Sequence, residues 1–212
     1  VEAPSAPGHE DALMSYERGG LGVLVARGRT SVYEGEAARS ATALARIASG
    51  ARLRAALLVT RATPLRGSGD VASGSAPGQV RVVADHLNLS GGSLFPAPGM
   101  VSAGWDATLT ERLGSLRGVS GSSVVALVPG PLRPSPAESR ALVSLGADAA
   151  VTDSVAEAMI LAARGVAVSA LTYLDAPAAG GNLGRAQLSL RQASGVTLAA
   201  VEEVLRGLRA GS

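Results

Sequence analysis

Short apolar runs alternate with helix-patterned stretches along nearly the whole chain, and this constrains the fold more than any other feature. Such alternation packs as α/β, with a largely parallel or mixed central sheet flanked by helices. The strand-like runs are Leu21 to Ala26, Ala55 to Thr60, Val80 to Val83, Ser123 to Val128, Ala149 to Val151 and Val166 to Tyr173. Helical patterns cover Glu36 to Ser49, Ala107 to Leu116, Ser135 to Leu145, Val155 to Ala163 and Thr197 to Arg209. The clearest start signal is Ser135-Pro136-Ala137-Glu138: a serine N-cap, proline at the first helical position and a glutamate placed to close a capping box. Arg61 to Gln79 and Ser90 to Gly99 are rich in Gly, Ser and Pro and read as surface loops. Neither is long enough to divide the chain, so residues 1–212 are expected to form one domain. Gly19-Gly20-Leu21-Gly22 precedes a strand instead of joining a strand to a helix, which makes it a hairpin turn and not a phosphate loop.

Composition narrows the chemistry. With 212 residues, 47% of them hydrophobic, the chain can bury a substantial core. All 19 basic side chains are arginine, and they are interspersed with 17 acidic ones, leaving no basic stripe for a phosphate backbone. One Phe, three Tyr and one Trp are too few for a base-stacking platform, so nucleic acid is excluded as a partner. The absence of cysteine removes disulfides, thiolate metal sites and cysteine nucleophiles, and fits a reducing compartment. Two histidines, His9 and His86, do not make a histidine-rich metal site, and no metal or cofactor is expected. The N-terminus lacks the apolar stretch of a signal peptide, and the run from Gly165 to Leu174 is too short to span a bilayer. The expectation is a soluble, cytoplasmic protein with no membrane partner.

Four segments in order resemble the trimeric purine nucleoside phosphorylase family. Gly28-Arg29-Thr30-Ser31-Val32-Tyr33-Glu34-Gly35 is similar to its GRxHxYEG, and Asp85-His86-Leu87-Asn88-Leu89-Ser90-Gly91 to its DHINLxG. The Gly130 to Glu157 region is similar to GPxxETxAExR followed by GADAVGMSTxxE, and Thr172 to Gly180 lies without gaps on SxITNxAAG. The resemblance covers roughly residues 7–180 and implies a nucleoside-phosphorylase-like fold. It also implies cleavage of a purine nucleoside with inorganic phosphate as co-substrate and no other cofactor. The implied assembly is a homo-oligomer, a trimer, with each site completed by a neighbour's loop.

Residue by residue, the resemblance assigns His9, Arg29, Ala62 and Asp153 to phosphate-site positions. It assigns Tyr33, Arg133, Pro134, Thr152 and Ala176 to nucleoside-site positions, and His9, Asp175 and Ala176 to catalytic ones. His9 and Arg29 are retained, but several others have changed type. A family phosphate serine falls on Asp153, whose carboxylate would repel a phosphate dianion. The glutamate that hydrogen-bonds the purine falls on Pro134, its aromatic neighbour on Arg133, the asparagine that contacts N7 on Ala176, and the preceding threonine on Asp175. Thr60-Arg61-Ala62-Thr63 replaces TNAAGG, losing glycines that let the backbone approach a ligand.

Simpler roles stand beside these. Asp153 reads as an N-cap for the following helix, with Ser154 competing for it. Asp175 reads as a polar residue at a strand end, with protonation of a purine N7 the alternative. Tyr33 is either a packed aromatic or a ribose contact, and His86 is a satisfied histidine of the fold. The family's first phosphate serine would lie upstream of Val1, and without the strand before it a sheet edge or an apolar face is expected to stand open. The functional expectation is a family homologue with little or no phosphorolytic activity, which binds a purine nucleoside or base or pairs with an active paralogue. The alternative is an active phosphorylase using His9, Arg29, Tyr33 and Asp175.

Overall fold

A computed structural model describes residues 12–34, 38–66, 77–91, 104–130, 133–175 and 183–211. The elements run β1 (Ala12–Arg18), β2 (Leu21–Arg27), a single 3₁₀ turn (Val32–Glu34), α1 (Ala38–Ala41), α2 (Ala43–Ser49), β3 (Ala55–Pro64) and β4 (Val80–Asn88). They continue as α3 (Ala107–Gly114), β5 (Val119–Leu127), α4 (Pro136–Ser144), β6 (Ala149–Val151), α5 (Val155–Ala162), β7 (Ala167–Leu174) and α6 (Leu183–Ala210). Five strands close into a barrel in the order β3, β6, β5, β4, β7. Its pairing is mixed: β3 with β7, β4 with β5 and β5 with β6 are parallel, while β3 with β6 and β4 with β7 are antiparallel. The expected open edge is therefore absent from the barrel, because β3 is paired on both sides.

Packing explains the element choice. Val168, Ala170 and Leu174 of β7 join Val83, Val125, Leu127, Ala149 and Val151 in one cluster that extends to Val155, Ala158 and Leu161 of α5. The alternate β7 residues, Leu171 and Tyr173, instead meet Leu109 and Leu113 of α3 and Val196, Ala200 and Val204 of α6. A strand with apolar residues at both parities must be covered on both faces. A third cluster sets Ala126 and Ala150 against Leu142 of α4.

Local signals held where the chemistry was explicit. Ser135 caps α4, accepting from the Glu138 N–H, while the Glu138 carboxylate accepts from the Ser135 N–H at 2.7 Å. Gly19 and Gly20 both take positive φ, +59° and +77°, giving the two-residue turn that joins β1 to β2. The hairpin is a separate two-stranded sheet, and its β1 strand lay outside the expected set. His86 is satisfied by Trp105, whose Nε1 donates to His86 Nδ1 at 3.1 Å with the rings edge to face. Burial lowers the His86 pKa, opposed by the charge of Asp85.

Five element limits differ from expectation. The helix expected over Glu36 to Ser49 is interrupted at Thr42, which leaves helical geometry at φ −104°, ψ 12° and is buried. The helix expected from Thr197 begins at Leu183 and runs through Gly195, with Ala193 before that glycine and Val196 after it packed in the same cluster. β4 runs on to Asn88 and β5 starts at Val119, with register shifts in β4 absorbing the mismatch. Most consequentially, the loop expected to start at Arg61 does not: β3 continues through Pro64.

Candidate functional site

The extension of β3 builds the site. Thr63 pairs with Ala150 and Pro64 with Ala149, and continuing that antiparallel register past the end of β6 sets Asp153 opposite Thr60. The Thr60 hydroxyl donates a hydrogen bond to Asp153 Oδ1. On the other side Ala62 pairs with Leu174, and the Asp175 N–H donates to the Ala62 carbonyl at 2.8 Å. Residues 60–62 thus hold one aspartate on each flank, each placed by sheet register and not by its own side chain.

At the first aspartate, Arg29 reaches in from the end of β2. Its Nη1 lies 2.8 Å from Asp153 Oδ1, its Nε 3.0 Å from Glu157 Oε1, and its Nη2 donates to the Val59 carbonyl at 3.4 Å. Exposure of the Arg29, Asp153 and Glu157 side chains is 24%, 20% and 10%, so solvent screens these charges weakly. Burial raises the Glu157 pKa; Arg29 pulls it back down and the Asp153 carboxylate pushes it further up. Both carboxylates therefore compete for one guanidinium in a poorly hydrated place.

Asp153 does not cap α5 through its side chain. The N-cap residue is Ser154, at φ +65°, and it makes no side-chain capping bond. Its hydroxyl donates instead to the Asp153 carbonyl at 2.6 Å. A fully buried non-glycine residue in the left-handed region costs of order 1–3 kcal/mol. With Ser154 in the N-cap place, the Asp153 carboxylate is engaged by Arg29 and Thr60.

At the second aspartate, Arg61 Nη2 lies 2.5 Å and Arg133 Nη2 3.4 Å from the same Asp175 Oδ2. Asp175 directly follows β7, as a polar residue at a strand end should, and its carboxylate is held by two guanidiniums. A Cβ on Gly130 would sit 2.9 Å from Thr152 Cγ2 and 3.0 Å from Tyr33 Cδ1, and φ is +52° there. Only glycine lets Tyr33, Thr152 and this backbone close together. Tyr33 is both packed and 40% exposed. Pro134 is half-buried and Ala62 buried, whereas His9 and Ala176 lie outside the described residues.

The structure thus brings Arg29 and Asp153 together, Tyr33 and Thr152 together, and Arg133 and Asp175 together. Sequence reasoning missed the roles of Thr60, Arg61 and Glu157. For Glu157 a signal existed: it is the one charged residue in the otherwise apolar helix Val155–Ala162. Among the described residues no group of three or more His, Asp or Glu side chains could hold a metal ion, and no helix is long and apolar enough to cross a membrane.

No protein-family model matches the chain. Individual relatives do. The purine nucleoside phosphorylases of Mycobacterium bovis and Mycobacterium tuberculosis are each 33% identical over 201 residues, covering 92% of this chain and 72% of the relative. The chain belongs to the purine nucleoside phosphorylase family. The Mycobacterium leprae phosphorylase is 34% identical over 181 residues, 84% of this chain, which spans 65% of that relative's length. Solved structures agree on the fold. Schistosoma mansoni purine nucleoside phosphorylase in complex with inosine superposes with a TM-score of 0.75 at 20% identity, covering 96% of this chain and 79% of that one. The Schistosoma phosphorylase in complex with hypoxanthine gives 0.73 at 19% identity, covering 91% and 76%. The purine nucleoside phosphorylase fold expected from the four sequence segments is the fold the chain has.

Proposed function

We propose that this chain is a purine nucleoside phosphorylase homologue with little or no phosphorolytic activity, its phosphate position being filled from within. The observation that carries the reading is the Arg29–Asp153 ion pair at 2.8 Å, with Thr60 on the same carboxylate oxygen. A phosphate dianion approaching Arg29 would have to displace that carboxylate or lie against it. At about 4 Å and an effective dielectric near 20, each added like-charge contact opposes binding by roughly 4 kcal/mol. Glu157, on the far side of the same guanidinium, adds a second competitor. Replacement of the purine-binding glutamate by Pro134 supports the same reading, since proline offers only its carbonyl.

The test is release of hypoxanthine from inosine with and without inorganic phosphate, together with phosphate binding followed by calorimetry. The wild-type chain is expected to show neither phosphate-dependent release nor, at neutral pH, any phosphate binding that depends on Arg29. Asp153→Ser removes the competing carboxylate and is expected to gain phosphate binding that Arg29→Gln abolishes. Ordinary phosphate-dependent turnover by the wild-type chain overturns the reading.

A further inference from the structure

Arg61 and Arg133 are used in none of the chemistry above, yet they converge on one carboxylate oxygen. Arg61 comes from β3 and Arg133 from the segment before α4, and both meet Asp175 Oδ2, at 2.5 and 3.4 Å. Each component is fixed by its own element. The Asp175 backbone is pinned by its N–H to the Ala62 carbonyl, and Leu174 before it by hydrogen bonds at Gly78 and Gln79. Arg133 stands two residues before the Ser135 N-cap, separated from it only by the conformationally restricted Pro134. Arg61 lies in the continuous ladder between β3 and β7, paired with Tyr173.

Exposure is graded in a way that suits a receptor. The Asp175 side chain is 23% exposed, Arg133 41% and Arg61 73%. The carboxylate lies at the bottom, and the guanidiniums open outward above it. A guanidinium carries five N–H donors, and its planar fork matches carboxylate and phosphoryl oxygens. Two such groups meet a single carboxylate here, the reverse of the arrangement at Arg29.

We propose that Arg61 and Arg133, gathered on Asp175, form a binding site for an anionic group of a small molecule, a carboxylate or a phosphomonoester. Asp175 positions the pair and weakens the site, because it is the ligand's competitor. The proposal goes beyond the reading of Asp153 and stands or falls separately from it.

Calorimetric titration with matched pairs tests it: inosine 5′-monophosphate against inosine for the phosphomonoester, and nicotinate against nicotinamide for the carboxylate. In at least one pair the charged member is expected to bind about tenfold tighter or more than the neutral one, as charge-assisted bidentate contacts allow. The pair that responds identifies the anion. Arg61→Ala combined with Arg133→Ala is expected to erase the preference while thermal melting shows the fold intact, since neither side chain is buried. Asp175→Asn is expected to strengthen binding of the charged member. Equal binding within both pairs, no binding at all, or a preference that survives the double variant overturns the proposal. Binding of inorganic phosphate that is lost with Arg29→Gln but kept in the double variant would strike at the reading of Asp153.

Discussion

Two arginine–carboxylate clusters flank the same short stretch of β3, one at Thr60 and one at Arg61 and Ala62. Around Arg29 one guanidinium serves two carboxylates, and all three side chains are at least three-quarters covered. Around Asp175 one carboxylate serves two guanidiniums, and both arginines are open to water. The same side-chain chemistry therefore has different consequences in the two places. Buried, mutually dependent charges are costly to separate, because losing one partner strands the other in low dielectric. At Asp175 the carboxylate is as covered as Arg29, but its arginine partners are the more exposed, so these pairs exchange more readily with water and are open to a ligand.

The sharpest way to break this comparison is to remove the shared cation. Arg29→Met strands Asp153 and Glu157 and is expected to cost about 3–5 kcal/mol, read from urea denaturation at pH 7. The cost should shrink as pH falls, because Glu157 takes up a proton and no longer needs its partner. The sign follows from its raised folded-state pKa, against an ordinary value of 4.5. The stabilisation linked to neutral Glu157 is complete below the unfolded pKa and is lost as pH rises through the folded one. Comparing wild type with Glu157→Gln from pH 4 to 8 should therefore show the wild type losing ground as pH rises. A flat difference would contradict the competition assigned to these two carboxylates.

A smaller effect is expected at Thr60. Thr60→Val keeps the branched shape but leaves Asp153 Oδ1 with Arg29 alone, at a cost of about 1–2 kcal/mol in the same denaturation assay. At the open cluster, Asp175→Asn should change stability by less than about 1 kcal/mol, and added salt should reduce even that. A loss there as large as that for Arg29→Met would erase the distinction between the clusters.

Much of the fold was legible because its signals are local or periodic. The capping box at Ser135, the paired glycines at Gly19 and Gly20, and the apolar β6 each declare themselves within a few residues. The errors have a common cause. Thr60 to Pro64 carries Arg, Thr and Pro, so propensity alone favours a loop, yet β6 and β7 supply ladder partners on both sides. The start of α6 was missed for a similar reason, because Gly195 weakens the local pattern while barrel packing restores it. At the site, the resemblance placed Arg29 and Asp153 at the same position in the chemistry. It gave no sign that they would touch, and the N-cap reading of Asp153 failed because Ser154 takes the N-cap place while the Asp153 carboxylate is engaged by Arg29 and Thr60.

The sequence by itself determined the α/β class, the family and the list of altered residue types, since periodicity, capping chemistry and motif spacing are properties of neighbouring residues. Only the tertiary structure decided which charge answers which. Asp153 meets Thr60 across 93 positions of chain, and Arg61 meets Asp175 across 114. Those meetings are set by strand register and barrel closure, and the strength of each pair is set by how much water the closed barrel leaves around it.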